Sequence, residues 1–150
     1  MAGLYYEEFE QGMRFDHPWT RTATETDNIL ICSLTMNVQP MHLDADFSAK
    51  AEFGKPLVNS MFTLALMIGM SINDTTLGTT IGNLGMDGVK FPKPVFYGDT
   101  LRSRTVVLSK RESKSWPKAG IVEFEHTALN QRDELVATCK RMAFMRKRPS

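Results

Sequence analysis

The chain has 150 residues, of which 42% are hydrophobic and 23% are charged, and its formal net charge is +1. This composition is typical of one globular domain, so residues 1–150 are expected to form a single core. The small net charge excludes a strong electrostatic attraction to nucleic acid or to a membrane surface. The two distant cysteines and the acidic N-terminal segment, which has no signal-peptide blocks, indicate a cytoplasmic protein.

The first elements are defined by capping and turn residues. The stretch "YYEEFEQG" predicts a short helical turn that ends at Gly12. Pro18 restricts the next segment to an edge or irregular strand, because proline cannot donate to a central strand ladder. The stretch "TETDNILICSLTM" predicts a helix, with Thr24 as its N-cap and Asp27 completing a weaker capping box.

A long apolar helix is predicted near the middle of the chain. Asp44 is expected to cap a short helix, "ADFSAKAEF", which Gly54 ends. Pro56 then stands at the first turn of the main helix, "LVNSMFTLALMIGMSIN". This helix is apolar on nearly all sides, which predicts a position inside the protein. Its apolar run is too short and too interrupted to span a bilayer.

The second half of the sequence predicts strands. Four segments, "TTIGNLGMDGVKF", "DTLRSRTVVLSKRE", "AGIVEFEHTAL" and "ELVATCKRMAFMRK", have strand character and are separated by turn-rich connections. In the third strand the alternation places His126 on the buried face, where a satisfied core histidine is the favoured interpretation. The fold class is therefore α+β, with an antiparallel sheet wrapped round the long helix.

The segment "NVQPMH" raises the question of function. Asn37, Gln39 and His42 place two amides and an imidazole within six residues, with Pro40 stiffening the turn. The residues alone leave two interpretations open, a catalytic loop and an ordinary polar connection. No metal site is expected, because the three histidines are separated and no carboxylates match them in spacing.

Two longer stretches, "QPMHLDADFSAKAEFGKPLVNSMFTLALM" and "KFPKPVFYGDTLR", resemble the MaoC-like hydratases and dehydratases of the hotdog superfamily. The resemblance extends along nearly the whole chain. It implies a single hotdog domain, in which a long central helix is wrapped by a curled antiparallel sheet. It also implies a homodimer, or a dimer of dimers, whose sheets join edge to edge and whose active sites lie at the interface.

The resemblance also implies an activity. The family hydrates a 2-enoyl-CoA or dehydrates a 3-hydroxyacyl-CoA, with coenzyme A as part of the substrate and no other cofactor. Its loop pattern, Asp-x-Asn-Pro-x-His, places the catalytic pair at Asn37 and His42 and the geometry-holding amide at Gln39. The carboxylate is thus an amide here, and an amide cannot act as a general base at neutral pH.

Three interpretations of this change remain open. In the first, His42 performs all the proton transfer, while Asn37 and Gln39 position the water. In the second, the substrate brings its own carboxylate, as in mesaconyl-CoA or itaconyl-CoA. In the third, the protein only binds acyl-CoA or performs other thioester chemistry. A hotdog thioesterase is the weaker alternative, because the central helix contains no carboxylate between Leu57 and Met70.

The start of the main helix is the second departure from the family. The family commonly has His-Gly where this chain has Asn59 and Ser60, and its glycine N–H polarises the thioester carbonyl. A backbone N–H survives the change to Ser60, and the helix N-terminus adds partial positive charge there. We expect Gln39, Asn59, Ser60 and Gly54 to contact the substrate, and no nucleic acid or membrane to be a partner.

Overall fold

The computed structural model describes residues 3–149, and its elements follow the order that the sequence predicts. A 3-10 turn lies at Tyr6–Glu8. The helices are α1 (Glu25–Leu34), α2 (Pro40–Leu43), α3 (Ala45–Ala49) and α4 (Ser60–Thr75). The strands are β1 (Arg14–Thr22), β2 (Thr80–Lys90), β3 (Thr100–Glu112), β4 (Ala119–Leu129) and β5 (Leu135–Arg146). The four predicted strands of the second half are confirmed.

One antiparallel sheet forms the body of the molecule, with the strand order β1-β3-β4-β5-β2. Helix α4 packs against β1, β3, β4 and β5, so the sheet curls round it. Met67 and Met70 of α4 lie in one buried cluster with Leu101, Val136 and Cys139 of the sheet. The α+β class and the hotdog arrangement of helix and sheet are therefore confirmed.

Strand β1 and helix α1 have the local features expected of them. Strand β1 is an edge strand, and its register with β3 shifts between Asp16 and Thr20, on either side of Pro18. The hydroxyl of Thr24 accepts from the Asp27 N–H at 3.3 Å, and the Asp27 carboxylate accepts from the Thr24 N–H at 2.9 Å. The predicted capping box is thus confirmed.

The short helices differ from the prediction in their lengths. Pro40 is the first residue of a one-turn helix, α2, rather than part of a plain turn. Asp44 caps α3 by accepting from the Phe47 N–H at 2.9 Å, as expected. Helix α3 nevertheless ends at Ala49, and Gly54 lies beyond it in a separate turn with φ +68°. The prediction that this helix continues to Gly54 is wrong, because the N–H groups of Ala51 and Gly54 donate three residues back, at 3.2 and 3.1 Å, and form turns instead of helical bonds.

The main helix begins later than predicted. The N–H groups of Leu57 and Val58 donate to the carbonyls of Met41 and Val95, at 3.0 and 2.9 Å. These long-range bonds keep the segment after Pro56 extended, so α4 starts at Ser60 with Asn59 as its N-cap. The placement of Pro56 in the first turn is therefore wrong.

Helix α4 is buried on one side only. Thr63, Met67 and Met70 are buried, whereas Met61 is 48% exposed and Ala65 is also exposed. The prediction that this helix is covered on most sides is wrong for the single chain, because the curled sheet covers one face and leaves the other open. Among residues 3–149, no helix combines the length and the hydropathy that crossing a bilayer requires.

Candidate active site

The His42 ring is fixed by one backbone carbonyl. It lies on α2, is 7% exposed, and has its Nδ1 2.7 Å from the carbonyl oxygen of Leu57. A carbonyl oxygen only accepts, so in the neutral ring Nδ1 bears the proton and donates it. The second ring nitrogen, Nε2, is then left with a free lone pair. His42 therefore has the tautomer that a proton acceptor at Nε2 needs.

Asn28 lies at the centre of the same region, although the sequence analysis did not select it. Its side chain is fully buried and its Nδ2 lies 2.9 Å from the His42 carbonyl and 3.0 Å from the Leu57 carbonyl. Its Oδ1 accepts from the Asn59 N–H at 2.7 Å. One amide thus joins α1, α2 and the start of α4, and it contacts the same carbonyl that orients the His42 ring.

Tyr97 completes this network from the loop before β3. Its hydroxyl donates to the His42 carbonyl at 3.0 Å and lies 3.1 Å from Asn28 Nδ2. The loop itself is fixed by Asp99, whose carboxylate accepts from the Phe96 N–H at 2.9 Å and from Gln131 at 2.7 Å. Burial opposes ionisation of Asp99, but these bonds together lower its pKa. The loop around Gly98 and Asp99 therefore holds the Tyr97 hydroxyl against the backbone carbonyl of His42.

The N-terminus of α4 presents one unpaired donor. Asn59 caps the helix by accepting from the Met61 N–H at 2.9 Å, and its carbonyl accepts from Phe62 and Thr63. Within residues 3–149, no partner is recorded for the Ser60 N–H. Such a donor at a helix N-terminus is suited to a developing negative charge.

A cavity of about 270 Å³ opens beside this helix end. We call it the helix-end cavity; its lining comprises Phe53, Leu57, Val58, Ser60, Thr63, Phe91, Pro92, Lys93, Pro94, Val95 and Val136. His42 is not part of the lining, but it contacts the cavity wall through the Leu57 carbonyl. The wall is mostly apolar, with Ser60 at the helix end and Lys93 as its cation. This composition suits a small acyl group with a polar end.

The other predicted site residues lie on the surface near His42. The Asn37 side-chain oxygen accepts from the Gln39 N–H at 3.1 Å, which closes a local turn. Gln39 and Gly54 are both exposed, and Gly54 lies in the turn next to Phe53. Within residues 3–149, no hydrogen bond joins Asn37 or Gln39 to the His42 ring. The structure thus groups His42, Asn59 and Ser60, while Asn37 and Gln39 lie on the loop leading to them.

One sequence signal could have identified Asn28. It lies on the apolar face of α1, four residues before Cys32, and both side chains are buried. A polar side chain in such a position requires hydrogen-bond partners from elsewhere in the fold. The identity of those partners was not readable, because they come from α2, Leu57 and the Tyr97 loop.

Comparison with known proteins identifies one matching family and several proteins of similar sequence. The MaoC like domain family matches residues 8–129. A beta-methylmalyl-CoA dehydratase of Chloroflexus aurantiacus is 30% identical over 97% of this chain and 41% of its own length. A mesaconyl-CoA hydratase of Cereibacter sphaeroides is 27% identical over 98% of this chain and 42% of its own length.

A solved structure also matches over its full length. It is described as a monoamine oxidase regulatory protein from Archaeoglobus, and it is 33% identical with a TM-score of 0.88. That comparison covers 99% of this chain and 98% of the other. The two enzymes are longer, since this chain spans about two fifths of each. The family match covers most of the sequence, including the helix, the loop of His42 and the first four strands of the sheet, so this chain belongs to the MaoC-like family.

Proposed function

We propose that this protein interconverts a 2-enoyl-CoA and a 3-hydroxyacyl-CoA by adding or removing water. The observation that supports this most directly is the fixed tautomer of His42 beside an unpaired donor at the start of α4. Hydration of a conjugated thioester needs a general base and an electrophilic donor; Ser60 lines the cavity, and His42 contacts its wall through the Leu57 carbonyl. The names of the two enzyme relatives agree with this activity.

The chemistry follows from these two groups. His42 Nε2 accepts a proton from water while the water oxygen bonds to the β-carbon of the enoyl group. The electrons of the double bond then move towards the thioester carbonyl and form an enolate. The Ser60 N–H and the α4 N-terminus stabilise the enolate oxygen, and one such donor contributes roughly 3 kcal/mol in other enzymes. The His42 imidazolium finally protonates the α-carbon, which restores the free base.

A panel of enoyl-CoA and 3-hydroxyacyl-CoA esters tests this function. We expect loss of the conjugated double bond with the wild-type protein, and a fall of at least 100-fold in His42→Ala. Asp46→Ala serves as the control, because Asp46 lies on the neighbouring α3 in an exposed ion pair. Hydration that persists in His42→Ala contradicts the proposal. Release of free CoA indicates a thioesterase instead, and no turnover indicates a binding protein.

We further propose a substrate whose acyl group has a carboxylate of its own, such as mesaconyl-CoA or itaconyl-CoA. Asn37 replaces the family carboxylate and so removes a negative charge from the loop that leads to His42. Lys93 lines the cavity and forms an ion pair with Glu134 at 3.0 Å, and its ammonium group has further N–H donors that can bind a substrate carboxylate. The malyl and mesaconyl groups in the relatives' names are dicarboxylic acyl groups.

Asn37→Asp tests this preference. The added carboxylate should lower kcat/KM for mesaconyl-CoA by at least 10-fold relative to crotonyl-CoA, because like charges would approach each other. Asn37→Ser, which adds no charge, should leave the ratio of the two substrates unchanged. Equal turnover of the two esters by the wild-type protein would contradict the assignment.

A homodimer is the proposed assembly. Strand β2 pairs with β5 on one side, and no strand among residues 3–149 pairs with its other side. Its side chains Leu84 and Met86 are 50% and 42% exposed, as is one face of α4. Apolar side chains on an unpaired edge favour association with a second copy. Three further points remain predictions. They are the association of two dimers, a cytoplasmic location, and the absence of any cofactor apart from the CoA of the substrate.

A further inference from the structure

A second cavity lies at the opposite end of the sheet. Its volume is about 1080 Å³, four times that of the helix-end cavity. It is formed by the N-terminal segment, the turn between β3 and β4, and the end of β5, with the lining Tyr5, Glu7, Gly78, Ile81, Trp116, Pro117, Lys118, Arg146, Lys147, Arg148 and Pro149. We call it the basic cavity. Along β5, Val136 and Arg146 are separated by about 33 Å in an extended strand, so the two cavities of one chain are distinct.

Positive charges outnumber negative charges in the lining of the basic cavity. Its lining contains four cations and one carboxylate, Glu7, which accepts from the Arg148 N–H at 3.1 Å. The side chains of Lys147 and Arg148 form ion pairs with Glu112 and Glu8, at 2.9 and 2.7 Å.

Two of these cations remain available. For Lys118 and Arg146, no ion pair is recorded within residues 3–149. Arg146 is exposed at the end of β5, and its N–H donates to the Thr79 carbonyl at 2.8 Å, which fixes its backbone beside the cavity. Two uncompensated cations at the wall of a large cavity are suited to a ligand with several negative charges.

Aromatic side chains line the same cavity as these cations. The Trp116 ring is 55% exposed and packs on Phe144 with the ring centroids 5.6 Å apart. Tyr5 and Ile81 add apolar surface to the same lining. Because the indole packs on Phe144 and is still exposed to solvent, a flat heteroaromatic ring can stack on it. Phosphates attached to such a ring can bind the cations of the same cavity.

We propose that the basic cavity binds the nucleotide half of the CoA thioester, with the adenine on Trp116 and the phosphates at Arg146 and Lys118. The identification of CoA rests on the proposed function, whereas the preference for a phosphorylated aromatic ligand rests on the cavity itself. The helix-end cavity, at about 270 Å³, has room for an acyl group but not for a nucleotide.

A dimer through β2 would connect the two cavities. Two copies of one strand edge related by a two-fold axis pair antiparallel. Ile81, near one end of β2, lines the basic cavity, and Phe91, just past the other end, lines the helix-end cavity. Antiparallel pairing therefore brings the basic cavity of one protomer towards the helix-end cavity of the other. One CoA thioester would then extend across the interface.

Binding of adenosine 3′,5′-bisphosphate tests the cavity without any turnover. We expect the nucleotide to quench the fluorescence of Trp116, and Arg146→Glu to weaken binding at least 10-fold. Lys140→Glu is the matched control, because Lys140 lies exposed on the same strand and makes the same change of charge. Trp116→Phe should remove the quenching, since Trp19 lies on β1. Equal affinity of wild type and Arg146→Glu overturns the proposal, as does equally strong binding of inorganic pyrophosphate.

Kinetics with two thioesters relate the cavity to the reaction. Arg146→Glu should raise KM for an enoyl-CoA at least 10-fold while leaving KM for the corresponding enoyl-pantetheine unchanged. Equal effects on both thioesters contradict a nucleotide subsite. If the protein hydrates neither thioester, the proposed function fails, and the nucleotide titration still decides the role of the basic cavity.

Discussion

Asn28 holds together the backbone of the candidate site although it lines neither the helix-end cavity nor the basic cavity. Its amide nitrogen has two hydrogens and three oxygen neighbours, the carbonyls of His42 and Leu57 and the hydroxyl of Tyr97. All four polar contacts of the side chain lie between 2.7 and 3.1 Å. Because the Leu57 carbonyl also accepts from His42 Nδ1, a shift of this carbonyl changes the direction of the His42 ring. We therefore interpret Asn28 as a positioning residue.

Asn28→Ala should damage activity and stability together. The change leaves the Asn59 N–H without a partner and removes one of the two donors to each carbonyl, at a cost of roughly 2 kcal/mol. In the fraction that remains folded, kcat should fall at least 10-fold with a smaller change in KM, because ring orientation matters in the transition state. Urea denaturation and steady-state kinetics measure the two effects. Ser33→Ala, at an exposed position of α1, is the control.

A role of Asn28 in folding alone makes a different prediction. In that case the kcat of the folded fraction would equal that of the wild type, and only the urea midpoint would move. Asn28→Asp adds a second comparison, since its carboxylate still accepts from the Asn59 N–H but cannot donate to the carbonyls. Its kcat should fall as far as that of the alanine variant.

At the scale of elements, a buried polar chain joins five of them. Arg141 of β5 donates to His126 Nε2 at 3.1 Å, so His126 Nδ1 bears the proton and donates to Thr105 of β3 at 2.9 Å. The Thr105 hydroxyl then donates to His17 Nε2 at 2.7 Å, and His17 Nδ1 donates to Asp74 of α4 at 2.9 Å. Every donor points from the guanidinium towards the carboxylate. The favoured interpretation of His126 as a satisfied core histidine is confirmed.

This chain predicts how stability depends on pH. Burial, with the Arg141 charge second, lowers the pKa of His126 from 6.5 to about 3. Below pH 6.5 the unfolded chain therefore binds a proton that the folded chain excludes, so stability falls as pH falls. Between pH 6.5 and 5 the free energy of unfolding should drop by roughly 1.5 kcal/mol from this group.

Urea denaturation at the two pH values measures this drop. In His126→Gln the residue no longer titrates, so its share of the drop should disappear even if the variant is less stable at both pH values. Ser33→Ala, at an exposed position of α1, keeps His126 and should keep the full drop. An unchanged pH dependence in His126→Gln would show that another group is responsible.

The elements differ in how far the sequence determines them. Strands β3 to β5 were predictable because their alternation reports directly which side chains are buried, as at Phe124 and His126. The caps at Thr24 and Asp44 were predictable because their partners lie three residues away. The start of α4 was not predictable, since the bonds that keep Leu57 and Val58 extended come from distant carbonyls.

The candidate site was likewise predictable where it depends on neighbouring residues and not where it depends on distant contacts. The residue types and spacing around His42 were visible in the sequence, and the structure buries its ring. The tautomer of His42 depends on a carbonyl fifteen positions later, and that carbonyl depends on Asn28. Contacts of this kind exist only after α1, α2 and α4 have packed together. Sequence patterns report local periodicity, so they identify the histidine but not the residues that orient it.

At the scale of the whole molecule, two surfaces remain that one chain does not cover. The outer edge of β2 is unpaired within residues 3–149, and the face of α4 that includes Met61 and Ala65 is open. The register of β2 with β5 shifts at three places, which twists this edge strand relative to the sheet. A second copy of the chain placed on the β2 edge would extend the sheet and cover apolar side chains that water now contacts.

Lysines on the β2 edge should separate the proposed dimer. The double change Leu84→Lys and Met86→Lys places two unpaired charges in the interface, at a cost of about 3 kcal/mol or more. The dissociation constant should therefore rise roughly 100-fold, which sedimentation equilibrium can measure. Trp19→Lys is the control, because Trp19 is 56% exposed on the edge strand at the opposite side of the sheet. If the double variant sediments as the wild type does, the copies associate through another surface, and the two cavities are not joined across β2.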